Sequence, residues 1–589
     1  MTENFYQERA HQFQSQITVV DKIIRQLAWT RLLIAALILL FGYFGFNHSI
    51  FFSAIPLLVI GFFYFVQSQQ KKESERNLLL HLVHLNQREV KAFQFDFSHF
   101  PAGEQFINPT HPFSHDLDVF GIGSVFQYIN RCATQIGEKK LADDLTSLKF
   151  TKEEIIERQE AIRELAQQLE LRQQCWAIGQ QIQKGDGHLN PLFAWLREPN
   201  LFLGKRFFQI AKWVFPFITC AALVAIVFDS TFEIIFFLLF ISQIGFAAAY
   251  SKPISILQNK LAGYRMLLEN YAKLLSKWKG LTFQSAVLNQ HQQKANEAAE
   301  NVHAFSKLVN ALETRMNMFA RFFGNGLFLY DFHSVTRLEA WRDQNAHELQ
   351  PWIDSLAEWD ALLSFGTLHF NQPGYAFAEF EDDFSIKATA AGHLLIPSSE
   401  RVNNSFDLGN PASVMLITGA NMAGKSTFLR AVGTNYVLAL NGAPVCATHW
   451  SCPIGHLRTG MRTSDSLQEH KSYFFAELNR LQSIVQELKS SKPMIILLDE
   501  ILKGTNSTDK QSGSRELIKQ LIHYKALVMV ATHDIALGDM EQQFPNQITN
   551  ACFEGKIENE ELTFDYCLNK GLAQKANATF LMRKMGIIP

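Results

Sequence analysis

Two stretches of the chain are almost without charge. From Leu32 to Val66 there is no Asp, Glu, Lys or Arg, and Asn47, His48 and Ser49 divide the run into two pieces. Phe207 to Phe228 carries one charge, Lys212; Asp229 to Glu233 makes a short polar turn; Ile234 to Tyr250 is again uncharged. Each piece approaches the roughly 20 residues a helix needs to cross a bilayer. Lys22, Arg25 and Arg31 precede the first pair, and Lys71, Lys72 and Arg76 follow it. Arg197, Lys205 and Arg206 precede the second, and Lys252 and Lys260 follow. Neither turn holds Lys or Arg, so the positive-inside rule predicts two transmembrane helical hairpins with every soluble part on the cytoplasmic side. The expected segments are a cytoplasmic N-terminus over 1–28, a first hairpin over 29–66, a connector over 67–110 and a second hairpin over 207–250.

Between and after the hairpins the apolar spacing is helical. Thr151 and Glu154 spell a capping box, with Ile155, Ile156, Ala161, Ile162 and Leu165 following at helical intervals. Residues 111–206 therefore read as an all-α region. Ile254, Leu257, Leu261, Tyr264, Leu268, Tyr271, Leu275 and Trp278 alternate three and four apart, an a/d seam. That spacing predicts long antiparallel helices over 251–360. Beyond 360 the period shortens. Apolar, β-prone runs at Val414–Thr418, Met494–Leu498 and Ala526–Ala531 are separated by helical stretches, as in a parallel α/β sheet.

Composition sharpens this picture. The 589 residues allow about four domains at roughly 150 residues each. Charged residues make up only 19%, against about 25% in typical soluble domains, and 51 residues are Phe. A net charge of -2 removes the strongly basic footprint of many nucleic-acid binders. The seven cysteines are scattered and contain no CxxC pair, which argues against a zinc site or a disulfide framework.

The chemistry lies at the ends of the three β-prone runs. The first leads into Thr418-Gly419-Ala420-Asn421-Met422-Ala423-Gly424-Lys425-Ser426-Thr427, a GxxxxGK[ST] loop between a strand and a helix. Its glycines let backbone N–H groups face phosphate oxygens, and the following helix points its positive end at the same place. Lys425 is expected to reach the β- and γ-phosphates and Ser426 to ligate Mg²⁺, with Gly419, Asn421, Met422, Gly424 and Thr427 completing the cradle. The second run ends in Asp499-Glu500, where Asp499 suits the Mg²⁺ shell and Glu500 the attacking water. The third ends in Ala531-Thr532-His533-Asp534, placing His533 as a γ-phosphate sensor. The implied cofactors are ATP and Mg²⁺.

The wording of these motifs resembles the MutS family of DNA mismatch-repair ATPases. The family's loop reads TGxNMxGKST, as Thr418–Thr427 does, and its second motif continues into a Gly-Thr loop, as Asp499–Ser507 does. Asp465-Ser466-Leu467 and Lys471–Leu478 resemble the family's Ser-centred signature. The resemblance implies a homodimer joined through ATPase domains, Ser472 contacting the γ-phosphate in trans, and DNA as a partner. Phe113–Leu117 and Glu157–Ala161 are similar to the family's helical core. Arg401-Val402-Asn403-Asn404-Ser405 stands where the family usually has aromatic-Val-Pro-Asn-Asp. A mismatch-reading domain with its Phe-x-Glu wedge is not expected here, so mismatch discrimination is expected to be absent or weak.

The resulting expectation is an ABC-type α/β P-loop ATPase domain over 361–589, an all-α core and lever region, and two transmembrane hairpins. A transporter-type ABC protein is the main alternative. Against it stand the missing LSGGQ signature, the few spans, and the absence of charge deep in any span. A nucleotide-locked scaffold without turnover is a third reading.

Overall fold

The computed structural model describes residues 3–46, 48, 50–148, 151–182, 189–381, 383–462, 473–490, 492–502, 506–558 and 561–573. Its N-terminal part is helical and its C-terminal part is an α/β domain.

The first hairpin is longer than its apolar run. Helices Glu3–Gly45 and Ile50–Phe93 pair along their length, so the stretches expected as an N-terminal segment and a connector continue the same two helices. The change from apolar to polar at Val66 changes the solvent these helices suit, not the backbone, because Gln, Lys, Glu and Arg are good helix formers. Their polar halves are fastened to the body. Tyr6 donates to Asn371 (2.7 Å) and Arg9 to Gln173 (3.0 Å), while Arg76 pairs with Asp21 (2.6 Å) between the two helices themselves. Their apolar halves pack only on each other and leave Leu39 and Leu57 exposed.

The second hairpin pairs Arg206–Ala225 with Phe232–Ala249. Among the described residues four helices, two in each hairpin, are thus long and apolar enough to cross a membrane by length and composition. Pro216 lies inside the first helix of this pair and brings no N–H to the carbonyl of Lys212. The orphaned carbonyl instead accepts from Nε2 of His333 (2.8 Å), on the following helix Tyr330–Asn345. A helix break is thereby turned into a tie between hairpin and body. Deeper in, Gln243 donates to the Phe215 carbonyl (3.1 Å) and to Thr219 Oγ1, a polar pair between the two helices.

The capping box at Thr151 forms, and Ile155, Ala161, Ile162 and Leu165 are buried; Ile156 instead faces solvent. The a/d seam is buried as spaced, yet it is not one long helix. The chain breaks at Gly263, whose φ of 88° suits glycine, into Ser251–Leu261 and Tyr264–Ser276. The latter runs antiparallel to Ala286–Thr314, with Arg265 paired to Glu313 (3.1 Å) and Lys279 to Glu300 (3.0 Å).

At the centre of the helical part, Leu349–Asn371 packs against Gln135–Thr146 and Lys152–Gln167. Its Asp360 is buried and accepts from the N–H groups of Ala133 and Thr134 (2.8 Å each) and from Thr134 Oγ1 (2.7 Å). Burial pushes its carboxyl up to about 6 against those three bonds.

Among the described residues the C-terminal part holds nine strands: β1 Ile386–Ala391, β2 Asn404–Leu408, β3 Val414–Gly419, β4 His449–Ser451, β5 His456–Gly460, β6 Met494–Asp499, β7 Ala526–Thr532, β8 Ile548–Glu558 and β9 Glu561–Lys570. A small antiparallel sheet has the order β2-β1-β4, and a larger one the order β5-β6-β7-β3-β8-β9, parallel except for β9. The three sequence-predicted strands are its central β3, β6 and β7, apolar throughout because both faces are covered. One face packs into the helical body; helices Tyr473–Leu488 and Ser507–Leu521 cover the other.

Replacing Asp360 by Ala leaves three buried donors without their acceptor. The expected loss is about 3 kcal/mol or more. It is read as a lower denaturant midpoint by the fluorescence of adjacent Trp359; an unchanged midpoint contradicts this assignment.

Candidate functional site

The carboxyl ends of adjacent parallel strands form the crevice where α/β sheets take ligands. Here β6, β7 and β3 lie side by side, with Asp499 in register with Ala531 and Thr418 with Thr532. This register brings the three sequence motifs together.

After β3 the chain turns tightly into helix Lys425–Leu440. Gly419 has φ 153° and Gly424 φ 104°. A Cβ on Gly419 would meet the Phe553 carbonyl at 2.5 Å, so the loop admits no side chain there. Met422 also has positive φ (69°), which turns its side chain outward to full exposure. Lys425 is buried and donates to the carbonyls of Gly419 and Ala420 (2.8 Å each), so its ammonium sits inside the loop. Ser426 Oγ donates to Asp499 Oδ2 (2.5 Å). Two hard oxygen donors therefore meet at the first turn of the helix, a set that fits Mg²⁺, which completes its shell with water and phosphate oxygens.

Glu500 adopts φ 52° and its N–H donates to the Ala531 carbonyl (2.8 Å). This left-handed turn at the strand end directs its carboxylate toward His533, whose Nδ1 lies 3.4 Å from Glu500 Oε1. Lys510 Nζ is 3.4 Å from Nε2 of the same ring. An ammonium can only donate, so Nε2 accepts and the ring proton sits on Nδ1, facing Glu500. Leu502, also at positive φ (60°), donates its N–H to Glu477 (2.5 Å) on helix Tyr473–Leu488. The helix that follows the signature is in this way tied to the loop that follows Glu500.

Lys425, Ser426, Asp499, Glu500 and His533 thus converge, with the Gly419, Asn421, Met422, Gly424 and Thr427 loop around them. Ser472 and Asp465–Leu467 lie outside the described residues, as do Lys503, Gly504 and Thr505.

A cleft of about 540 Å³ opens over the loop, lined by Asn421, Gly424–Phe428 and Glu500 on one side. Its far wall is formed by His393, Ile396, Val402, Asn404, Phe553 and Tyr566. Sequence reasoning identified none of these as site residues except the segment around Val402 and Asn404. Asn404 joins two remote strands: it donates to the Tyr566 carbonyl (3.1 Å) and accepts from the Leu568 N–H (2.7 Å). That pairing holds Tyr566 beside Gly424. His393 is buried, and burial, with Arg430 next, pushes its imidazole down to about 4.

The fold and this loop define the P-loop class of α/β domain. Residues 415–587 match the family model for MutS domain V. The "DNA mismatch repair protein MutS" of Thermotoga maritima is 30% identical over 237 residues, 40% of this chain and 29% of that protein. The "DNA mismatch repair protein msh3" of Aspergillus fumigatus is 28% identical over 246 residues, 39% of this chain and 21% of that protein. The human "MutS protein homolog 4" is 28% identical over 255 residues, 42% of this chain and 27% of that protein. Over its C-terminal part the chain is similar to MutS-family proteins, and it aligns with less than a third of the length of each of these relatives.

The shift at His393 sets a pH dependence. Between its ordinary value of 6.5 and about 4 the unfolded chain takes up a proton that the folded chain refuses. Its contribution to stability is therefore complete above 6.5, falls as pH drops through that window, and is constant below it. The span corresponds to about 3 kcal/mol. His393→Asn should flatten the decline of the unfolding midpoint between pH 6.5 and 4.5; an identical decline in the variant contradicts the shift.

Proposed function

We propose that this chain is a membrane-anchored, MutS-type ATPase that acts as a homodimer. ATP binding draws the two ATPase domains together, hydrolysis releases them, and the helical region carries that change toward the bilayer. The observation that carries the reading is the convergence of Lys425, Ser426, Asp499, Glu500 and His533 at the ends of three neighbouring strands.

In this reading Lys425 turns from the loop carbonyls to the β- and γ-phosphates, and the loop's N–H groups hold the remaining phosphate oxygens. Ser426 and Asp499 hold Mg²⁺, which neutralises charge on the phosphates when bound. Glu500 accepts a proton from the attacking water or orients it, and His533 fixes the Glu500 carboxylate through its Nδ1–H. The base is assigned to the far wall, between Val402 and Tyr566. Ser472 is assigned to the partner's γ-phosphate.

The anchoring rests on the four long apolar helices among the described residues, and their basic flanks support a cytoplasmic ATPase under the positive-inside rule. The match to MutS domain V favours this reading over a transporter-type ABC protein. DNA enters through the similarity to DNA mismatch-repair proteins. A net charge of -2 gives little general attraction to duplex phosphate, and with no mismatch-reading domain expected from the sequence we expect any duplex binding to be indifferent to mismatches. Affinities for matched and mismatched duplexes should superimpose across salt concentrations, and a preference for the mismatch overturns that expectation.

Two substitutions separate binding from turnover. Lys425→Ala removes a charged donor and should weaken ATP binding about 10- to 100-fold. Glu500→Gln keeps the loop intact and should retain ATP binding while lowering turnover by about 10²–10⁴-fold. Wild-type turnover in either variant, measured as phosphate release by full-length protein in lipid discs, contradicts the assignment.

A further inference from the structure

The short helix Met318–Phe328 lies outside every apolar stretch that the sequence marks as a span, yet its chemistry is that of a membrane segment. Between Glu313 and Asp331 there is no acidic residue, and only Arg315 and Arg321 are charged. Arg315 is withdrawn from this surface. It is buried, donating to Asp331 (2.7 Å) and to Ser255 (2.9 Å) on the helix that follows the second hairpin. Tyr330 donates to the Ala311 carbonyl (2.9 Å), and Asp331 donates its N–H to Asn325 (3.0 Å). Both ends of the helix are therefore stapled at the base of the hairpin, and Asn317 caps its start by accepting from Phe319 and Ala320.

One face of this helix sits on the second hairpin. Gly326 rests against Phe240, where a Cβ would come within 2.3 Å of the ring. The ring of Phe322 lies 5.4 Å from that of Phe240, edge to face. The same face runs on uncovered toward the start of the helix: Met318 is 74% and Phe319 68% exposed, Phe322 and Phe323 stay partly exposed beside Phe240, and Phe328 is exposed as well. At 11 residues the helix is too short to cross a bilayer. Phe240 lies about 13 Å along the helix from Ala249, at 1.5 Å per residue. Phe240 is thus near the middle of Phe232–Ala249, whereas Arg315, just before the short helix, is held by Ser251 and Ser255 at the basic-flanked end, so the short helix lies along the half between that end and the middle.

We propose that Met318–Phe328 is a half-inserted membrane helix that presses its Met318, Phe319, Phe322 and Phe323 face into the cytoplasmic leaflet. The occupant is lipid because the bare face continues the lipid-facing surface of the hairpin it packs against. Arg321, exposed on the same helix, reaches toward phosphate headgroups as interfacial basic residues do. This inference rests on the reading of the second hairpin as membrane-spanning. It adds a wedge in one leaflet, attached through Asp331 to the helix that also holds His333, so that the body grips the bilayer at its surface as well as through it.

The test is spin-label accessibility in full-length protein reconstituted into phosphatidylcholine and phosphatidylglycerol discs. Exposed Cys567 and half-buried Cys220 are replaced by Ser, and the other cysteines are buried. Labels are placed singly at Phe319→Cys and Met318→Cys, with Leu238→Cys in the hairpin and Lys489→Cys in the soluble part as references. The expected result is preferential collision with oxygen at 318, 319 and 238, and with a water-soluble nickel chelate at 489. Collision with nickel at 318 and 319 while 238 stays with oxygen overturns the half-inserted helix and leaves the anchor standing. Poor collision with both reagents at 318 and 319 means that protein covers this face, and overturns it equally. Nickel collision at 238 overturns the anchor itself, and this inference with it.

Discussion

Asp116 is the carboxylate on which the relation between the two halves of the chain depends. It has no solvent exposure, and a charge so buried persists only where donors surround it. Among the described residues those donors come from the α/β domain. Thr459 Oγ1 donates at 2.6 Å, the N–H groups of Met461 and Arg462 at 3.1 Å each, and Arg480 at 2.7 Å. Two residues on, Asp118 takes Arg462 (2.5 Å) and Arg430 (3.3 Å). One turn of the helical part thereby holds the end of β5, the helix Tyr473–Leu488 and the P-loop helix Lys425–Leu440. Removing the Asp116 carboxylate from such a site is costly because Thr459 Oγ1 and the two N–H groups are left without their acceptor.

A second tie reinforces the first. Arg158 is buried and donates to the carbonyl of Asn441 (3.2 Å), at the far end of the P-loop helix, and to Asp144 (2.9 Å) and Glu358 within the helical core. The P-loop helix is thus held at both ends by the helical part. From there the packing is continuous through Leu349–Asn371 and Tyr330–Asn345 to His333 and the carbonyl that Pro216 frees in the second hairpin. A displacement at Lys425 or Glu500 has a contiguous, well-packed body through which to act.

How legible this was in the sequence follows from how local each feature is. The three central strands and the residues at their ends were readable because each motif is a short contiguous run whose chemistry demands its spacing. The far wall of the cleft was not: His393, Asn404 and Tyr566 come from separate strands and loops and meet only through pairing such as Asn404 with Tyr566 and Leu568. The apolar runs marked the hairpins, but polarity marks solvent, so the helices ran on through 3–45 and 50–93. The a/d seam reported burial correctly and continuity wrongly, since Gly263 leaves the spacing intact while breaking the helix. Asp116 was not singled out: it lay within the segment Phe113–Leu117 that resembles the family's helical core, and a buried carboxylate spells the same as an exposed one.

The central claim is that the nucleotide held between Lys425 and Glu500 is felt in the helical core through Asp116. Amide hydrogen exchange of the full-length protein in lipid discs, compared between ATP and ADP, tests it most directly. The account predicts that Met461 and Arg462 change protection together with residues 113–121. A response confined to 418–440 and 499–502, with 113–121 unchanged, would contradict it.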